Sequence, residues 1–289
     1  MRTFDRTKQP LRRTELGLRQ FGYAASHRSE MSLLKRNEGL RDVYRGQRCF
    51  VVGNGPSLAS ANLASISGEV LIGVNNLNLS HFLGAGPQFQ VISDRRWFAL
   101  DPMNDNDREV REQLASVAAQ SGAVLMPSSE AGRADALGLG SATKNFYFCN
   151  PFYFSDYYHV SHDFTGFIPR FSSVVHHAIL LALHLGMSEI YLLGCDATNI
   201  VANVNSALGR SSAEQYGYPV SARLDRWLVN QQLNTRTMER SAESFLEVLI
   251  GYRFLNEYCT KRGVKLLNCS SATVVDSIQR VALHDVLCN

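Results

Sequence analysis

The stretch Cys49-Phe50-Val51-Val52-Gly53-Asn54-Gly55-Pro56-Ser57-Leu58 carries an apolar run straight into a glycine-flanked turn. A short apolar run stopped by Gly and Pro reads as a buried strand of a parallel sheet ending in a tight loop. Gly53 suits the positive φ of such a loop, and Gly55 would let a ligand approach the backbone without meeting a Cβ. Pro56 suits the first position of a helix, where its missing N–H costs nothing. The unpaired amides of that helix start, with the dipole behind them, would favour a phosphate. The same residues also suit a plain strand-to-helix turn that holds no ligand.

Similar units follow. Val70-Leu71-Ile72-Gly73-Val74 is a second strand ending at Asn75-Asn76, and residues 88–93 form a third ending at Asp94. Helical spacing over 106–121 leads into a strand at 123–126. Ser172-Ser173-Val174 is a helix start, with serine as cap, and the apolar positions run on to Leu185-Gly186. Glu189-Ile190-Tyr191-Leu192-Leu193-Gly194-Cys195-Asp196 is a further strand ending in an acid. A helix of about six turns fits 239–262, the last strand is 264–268 and a final helix spans 274–283. Strands alternating with helices predict a Rossmann-like α/β fold, a mostly parallel sheet flanked by helices. Two stretches break the rhythm. Residues 127–170, rich in glycine and then in aromatics, read as a lid or insertion over a site, or else as a packing segment. Residues 197–235 read as a long mobile loop.

The 289 residues are 45% hydrophobic and 19% charged, as in an ordinary globule, and the net charge of +3 gives no reason to expect nucleic acid. The positives are uneven: residues 1–48 hold twelve Lys and Arg against five acids. That predicts a basic N-terminal arm over 1–45, solvated or lying on an anionic membrane surface, ahead of one domain over 46–289. The longest apolar run, 178–185, is too short to span a bilayer. The charged first twenty residues lack a signal-peptide core, so a cytoplasmic protein, peripheral at the inner membrane, is expected. The six cysteines show no metal spacing and read as buried thiols.

In an open parallel sheet, ligands bind beyond the carboxyl ends of the strands. Asn54, Asn75, Asn76, Asp94, Asp196 and Asn268 all fall there, a set suited to hydroxyls, amides and phosphates, although each alone suits a turn. The chain has no Walker phosphate loop, no GxGxxG after the first strand and no GxSxG elbow. His176 and His177 read as helix-packing residues. His162, and behind it His159, are the candidate general bases, because imidazole titrates near neutrality.

Gly53-Asn54-Gly55-Pro56-Ser57-Leu58, together with Ser172-Ser173-Val174 and the strand through Gly194-Cys195-Asp196, resembles the bacterial family-42 sialyltransferases. The same motifs are similar to motility-associated flagellin glycosyltransferases and hydroxymethylpterin diphosphokinase-like proteins. The resemblance covers about 46–100 and 170–283. It implies the sialyltransferase-like variant of the fold, with Gly53, Asn54, Gly55, Ser57 and Asn76 (or Asn75) on a CMP-linked sugar and Ser172 and Ser173 nearby. Asp94 and Asp196, as strand-end acids, are also candidate donor-binding residues. The sequence departs from the sialyltransferases where their phosphate-binding tyrosines and base histidine would lie: Asp196 is followed by Ala197-Thr198-Asn199, and 197–238 has no histidine. Tyr216 or Tyr218 could replace the tyrosines.

Three functions follow. The first is an inverting, metal-independent transferase of a CMP-activated acidic sugar onto a glycan, lipid-linked glycan or protein acceptor in bacterial surface-glycan synthesis, with no cofactor beyond the donor. The second is a diphosphokinase holding Mg²⁺ on Asp94 and Asp196. The third is a non-catalytic nucleotide-binding protein.

Overall fold

The computed structural model describes residues 9–101, 104–139, 144–211, 213–217, 221, 225, 227 and 237–288. Seven strands form one all-parallel sheet: β1 (Arg48–Val52), β2 (Val70–Val74), β3 (Phe89–Val91), β4 (Ala123–Pro127), β5 (Lys144–Phe148), β6 (Glu189–Leu193) and β7 (Lys265–Asn268). Their order is β5-β4-β3-β2-β1-β6-β7. Four residues of β1, Cys49 to Val52, are fully buried, as the apolar run requires of a central strand. The chain winds outward from β1 to β5 and then crosses back to β6, so the direction of winding changes between β1 and β6. Helices flank the sheet, which is the Rossmann-like α/β architecture expected.

The crossover back to β6 is α7 (Val174–His184), where Ser173 caps the first turn by accepting from the Val175 amide. Because α7 leads into a strand parallel to the rest, its N-terminus lies at the carboxyl edge of the sheet and His184 at the amino edge. The same argument places the start of α9 (Met238–Thr260), which leads into β7, at the carboxyl edge and Tyr258 at the amino edge.

Three expectations change. The region 127–170 is not one insertion: β5 lies within it and extends the sheet beyond β4. Its aromatics turn inward, with Phe154 stacked on Phe171 at 4.6 Å and edge-on to Phe254 of α9 at 5.1 Å. Residues 9–45 are not a solvated arm. α1 (Gln9–Ser26) and α2 (Arg28–Leu33) lead into a 3₁₀ segment, Leu34–Leu40, in which Leu34 and Asn37 are fully buried. Asn37 donates to the Tyr147 and Phe164 carbonyls at 2.7 and 2.6 Å, keying this segment to β5. Finally, 274–283 is not helical. Asn268 and Val281 pair through their backbones, and the closing helix, α10, is Leu283–Leu287. Five of the six cysteines are buried and all six are free thiols, as expected.

His176 and His177 are both buried in α7, and neither ring nitrogen of His176 has a hydrogen-bond partner among the described residues. The His176 ring sits edge-on to Tyr252 at 4.3 Å, beneath Gly251, where a Cβ would come within 2.6 Å of it. Burial drives the His176 pKa down to about 3 and that of His177 to about 4. Above the unfolded value near 6.5 both rings are neutral in either state. Below it the unfolded chain takes up protons that the native core refuses, so each ring removes about 1.4 kcal/mol of stability per pH unit. Urea unfolding from pH 7.5 to 4.5 should therefore show a steep loss of stability below pH 6.5. His176→Met should reduce that slope by about 1.4 kcal/mol per unit while costing less than about 1.5 kcal/mol at pH 7.5. An unchanged slope would mean that the buried ring takes up its proton normally.

Candidate functional site

The loops after β1 and β6 keep pairing past the ends of their strands. The Gly53 amide donates to the Leu193 carbonyl and the Gly55 amide to the Gly194 carbonyl, both at 2.7 Å. Glycine is required because there is no room for a side chain. A Cβ on Gly53 would lie 2.5 Å from the Gly194 oxygen, and one on Gly55 would lie 2.5 Å from Asp196 Oδ2. The positive φ falls on Gly194, at +65°, and not on Gly53. Gly55 is thus closed to a ligand on its Cβ side by the Asp196 carboxylate.

The helix expected at Pro56 is a single 3₁₀ turn, Pro56–Ser60. Its first amide is already engaged: Ser57 donates from its N–H to Asp196 Oδ2 at 2.7 Å and from its hydroxyl to Oδ1. Burial raises the Asp196 pKa, and the Ser57 and Ser270 donors oppose that rise. Ser57 and Asp196 therefore brace the loop, and this turn offers no dipole to a phosphate.

On the other side of Asn54 the edge is different. Extending the β1–β2 register, in which Val52 faces Gly73, sets Asn54 opposite Asn75. Adjacent strands stand about 4.8 Å apart. The side-chain oxygens of both residues are buried and have no hydrogen-bond partner among the described residues. Asn75 also takes a left-handed conformation, φ +49°, outside the range that most non-glycine residues adopt. Such features collect at ligand sites. Asn76, its neighbour, is buried.

Three further groups stand at this edge. Asp94, after β3, caps the next turn and binds the Arg96 guanidinium, whose Nε lies 3.0 and 2.9 Å from its two oxygens. Burial works against the Arg96 charge, but the Asp94 carboxylate outweighs it and the pKa is raised. The loop expected to be mobile comes back over the glycine turn. Gly217 donates its N–H to the Asn54 carbonyl at 3.0 Å and would clash with the Gly55 oxygen if it carried a Cβ. Tyr216, half-buried beside it, lies close enough to Arg96 and Asp94 to feel their charges, and burial pushes its phenol up to about 12. Tyr218 lies outside the described residues. At the start of α7, Ser173 meets the hydroxyl of Tyr252, which also lies near Asp196. Ser172 is exposed and donates to Glu247 at 2.6 Å.

His162 is not brought here. His162 bonds the Tyr258 hydroxyl through Nδ1 at 2.8 Å and lies near His184, which places it at the amino edge. The sheet is about 16 Å deep, five residues at 3.3 Å each. His159 lines a cleft with Leu16, Tyr157 and Phe167, between α1 and the aromatic segment. Burial, aided by nearby arginines, depresses both pKa values. His162, at the amino edge, does not reach a proton at the Asn54 edge. Asn268 is also absent from the site: its register partner is Leu192, three residues short of Cys195 and four short of Asp196, and its side chain bonds Ser270 and Thr273.

The helix Asn199–Ala207 (α8) stands where a loop over 197–235 is expected. Among the described residues no group of three or more His, Cys, Asp or Glu could hold a metal ion. No helix among them is long and apolar enough to cross a membrane. No protein-family model matches the chain, and a search of curated proteins returns no match.

The packing role of Gly55 can be tested directly. Gly55→Ala should cost about 3 kcal/mol in urea unfolding, because the new methyl meets a backbone oxygen and a buried carboxylate. Gly39→Ala, where nothing lies within 4 Å, is the control and should stay within about 0.5 kcal/mol. Equal stabilities of the two variants would overturn the account of the β1–β6 loop contact.

Proposed function

We propose that the chain is an inverting glycosyltransferase that takes a CMP-activated acidic sugar, such as a nonulosonic acid or Kdo, for bacterial surface-glycan synthesis. The fold that goes with this reading is the sialyltransferase-like variant of the Rossmann-like sheet. The observation that carries it is the pair of buried amide oxygens, on Asn54 and Asn75 at the ends of β1 and β2, that have no hydrogen-bond partner among the described residues. Two buried acceptors call for a ligand with hydroxyl or amino donors, which a ribose, a cytosine or a sugar supplies. Arg96 and the protonated Tyr216 phenol supply donors for the phosphate, where charge collects as CMP leaves. The start of α7 at Ser173 adds the positive end of an eleven-residue helix at the same edge.

In this reaction the acceptor oxygen forms a bond to the anomeric carbon while the bond from that carbon to the phosphate oxygen breaks. CMP takes the electron pair, and the acceptor proton passes to a base. An acceptor on a lipid-linked glycan would bring the protein to the inner membrane face. The diphosphokinase reading is weakened because both acids meant for Mg²⁺ are engaged, Asp94 by Arg96 and Asp196 by Ser57. The reading as a non-catalytic nucleotide-binding protein draws support from the placement of His162 at the amino edge.

Thermal shift with CMP, CDP, UDP and ATP, each with and without Mg²⁺, separates the three readings. CMP at a hundred times its Kd should stabilise the protein by about 2.7 kcal/mol without Mg²⁺. Asn54→Ala and Asn75→Ala should each weaken CMP binding about tenfold, as befits the loss of one hydrogen bond. Stabilisation by ATP with Mg²⁺ alone would point to the kinase. CMP binding without turnover of any CMP-sugar would point to the binding protein, and indifference to CMP would end the proposal.

A further inference from the structure

The outer face of α1 carries the most exposed large apolar side chains among the described residues. Leu11, Leu18 and Phe21 are 75%, 71% and 78% exposed, above every other large hydrophobic residue among those described. At 100° per residue they fall within about 80° of one another, on one side of the helix. The opposite side, with Leu16 and Tyr23, is turned to the protein: Leu16 is buried and Tyr23 packs edge-on to Phe167 at 5.9 Å. The helix is therefore docked, and its outward leucines and phenylalanine are not the product of an undocked element. Burying such side chains in the folded chain would have been favourable, so leaving three together in water calls for another partner.

The surrounding charge narrows that partner. Arg13, Arg19, Arg28, Lys35 and Arg36 are exposed on α1 and the segment after it. Over residues 1–48 the count is twelve bases to five acids. A second copy of the chain would bring the same positive field against itself. Three side chains on one helix also offer far less than the roughly 800 Å² per partner that a stable dimer buries. An anionic bilayer satisfies both features, since apolar side chains enter the acyl boundary while arginines remain at the headgroups.

We infer that α1 is a membrane-docking helix that lays Leu11, Leu18 and Phe21 into a lipid surface rich in anionic headgroups. This inference stands apart from the proposed reaction and is tested without substrate. Vesicle flotation of the full chain should show binding to phosphatidylcholine–phosphatidylglycerol vesicles in equal parts. Binding to phosphatidylcholine alone should be much weaker, and 0.5 M salt should release the protein. L11S/L18S/F21S, which changes only exposed side chains, should melt like the parent and lose at least tenfold in binding. R13S/R19S should lose binding only on the anionic vesicles, by roughly fivefold per arginine. Equal binding of the triple-serine variant and the parent, or no preference for anionic lipid, would overturn the inference. So would a dimer in light scattering that the triple-serine variant converts to monomer without any vesicle binding by the parent, which would assign the face to a second copy.

Discussion

The carboxyl edge of the sheet is organised by the contact of the β1 and β6 loops, with the Asp196 carboxylate gripping Ser57 across it. Two backbones meet there at a distance that leaves no space for a Cβ on Gly53, Gly55 or Gly217. The carboxylate itself is buried and satisfied by several donors, which is the condition under which a buried acid is tolerated. This junction lies where the winding direction of the sheet changes, the usual place for a ligand crevice. Here that crevice is closed by the protein's own groups. Gly217 lies over the closed turn, donating to the Asn54 carbonyl. The open polar positions are consequently displaced one strand over, to the β1–β2 boundary.

Much of the fold was legible because central parallel strands are buried on both faces and so appear as unbroken apolar runs. β1, β2, β4 and β6 carry that signal, whereas β3 alternates apolar and polar residues and β7 is a short edge strand. β5 did not: it begins Lys144-Asn145, lies at the sheet's edge and is surrounded by other aromatics, so only its pairing with β4 identifies it. The segment 274–283 misled for a related reason. Val275 and Ile278 are spaced as on a helix face, but both are buried against the core while Asn268 and Val281 form a backbone pair. Tertiary pairing there overrides local spacing.

The site was legible at the level of which strand ends carry Asn and Asp, and illegible at the level of what those residues do. Asp94 and Asp196 are interchangeable as strand-end acids in the sequence. In space one holds a guanidinium and the other a serine of the neighbouring loop. Gly55 was read as an opening for a ligand, yet its missing side chain makes way for Asp196. His162 lies away from this edge for a topological reason. A residue's distance along the chain from a helix start says nothing of which edge of the sheet it reaches, and His162 follows a segment that descends to the amino edge beside Tyr258.

What remains at the edge is an asymmetry of hydrogen-bonding character. Among the described residues the acids there are neutralised or satisfied internally, whereas the side chains of Asn54 and Asn75 keep an unfilled acceptor each. Arg96 retains its charge because Asp94 compensates its burial, and Tyr216 keeps its proton because burial disfavours the phenolate. A cation would have to displace Arg96 or Ser57 to gain a carboxylate. A ligand carrying hydroxyl or amino donors at one end and an anion at the other would meet complementary groups already in place, without repositioning any charge. That is the physical basis of the proposal that the edge takes an activated sugar and not a metal-bridged triphosphate.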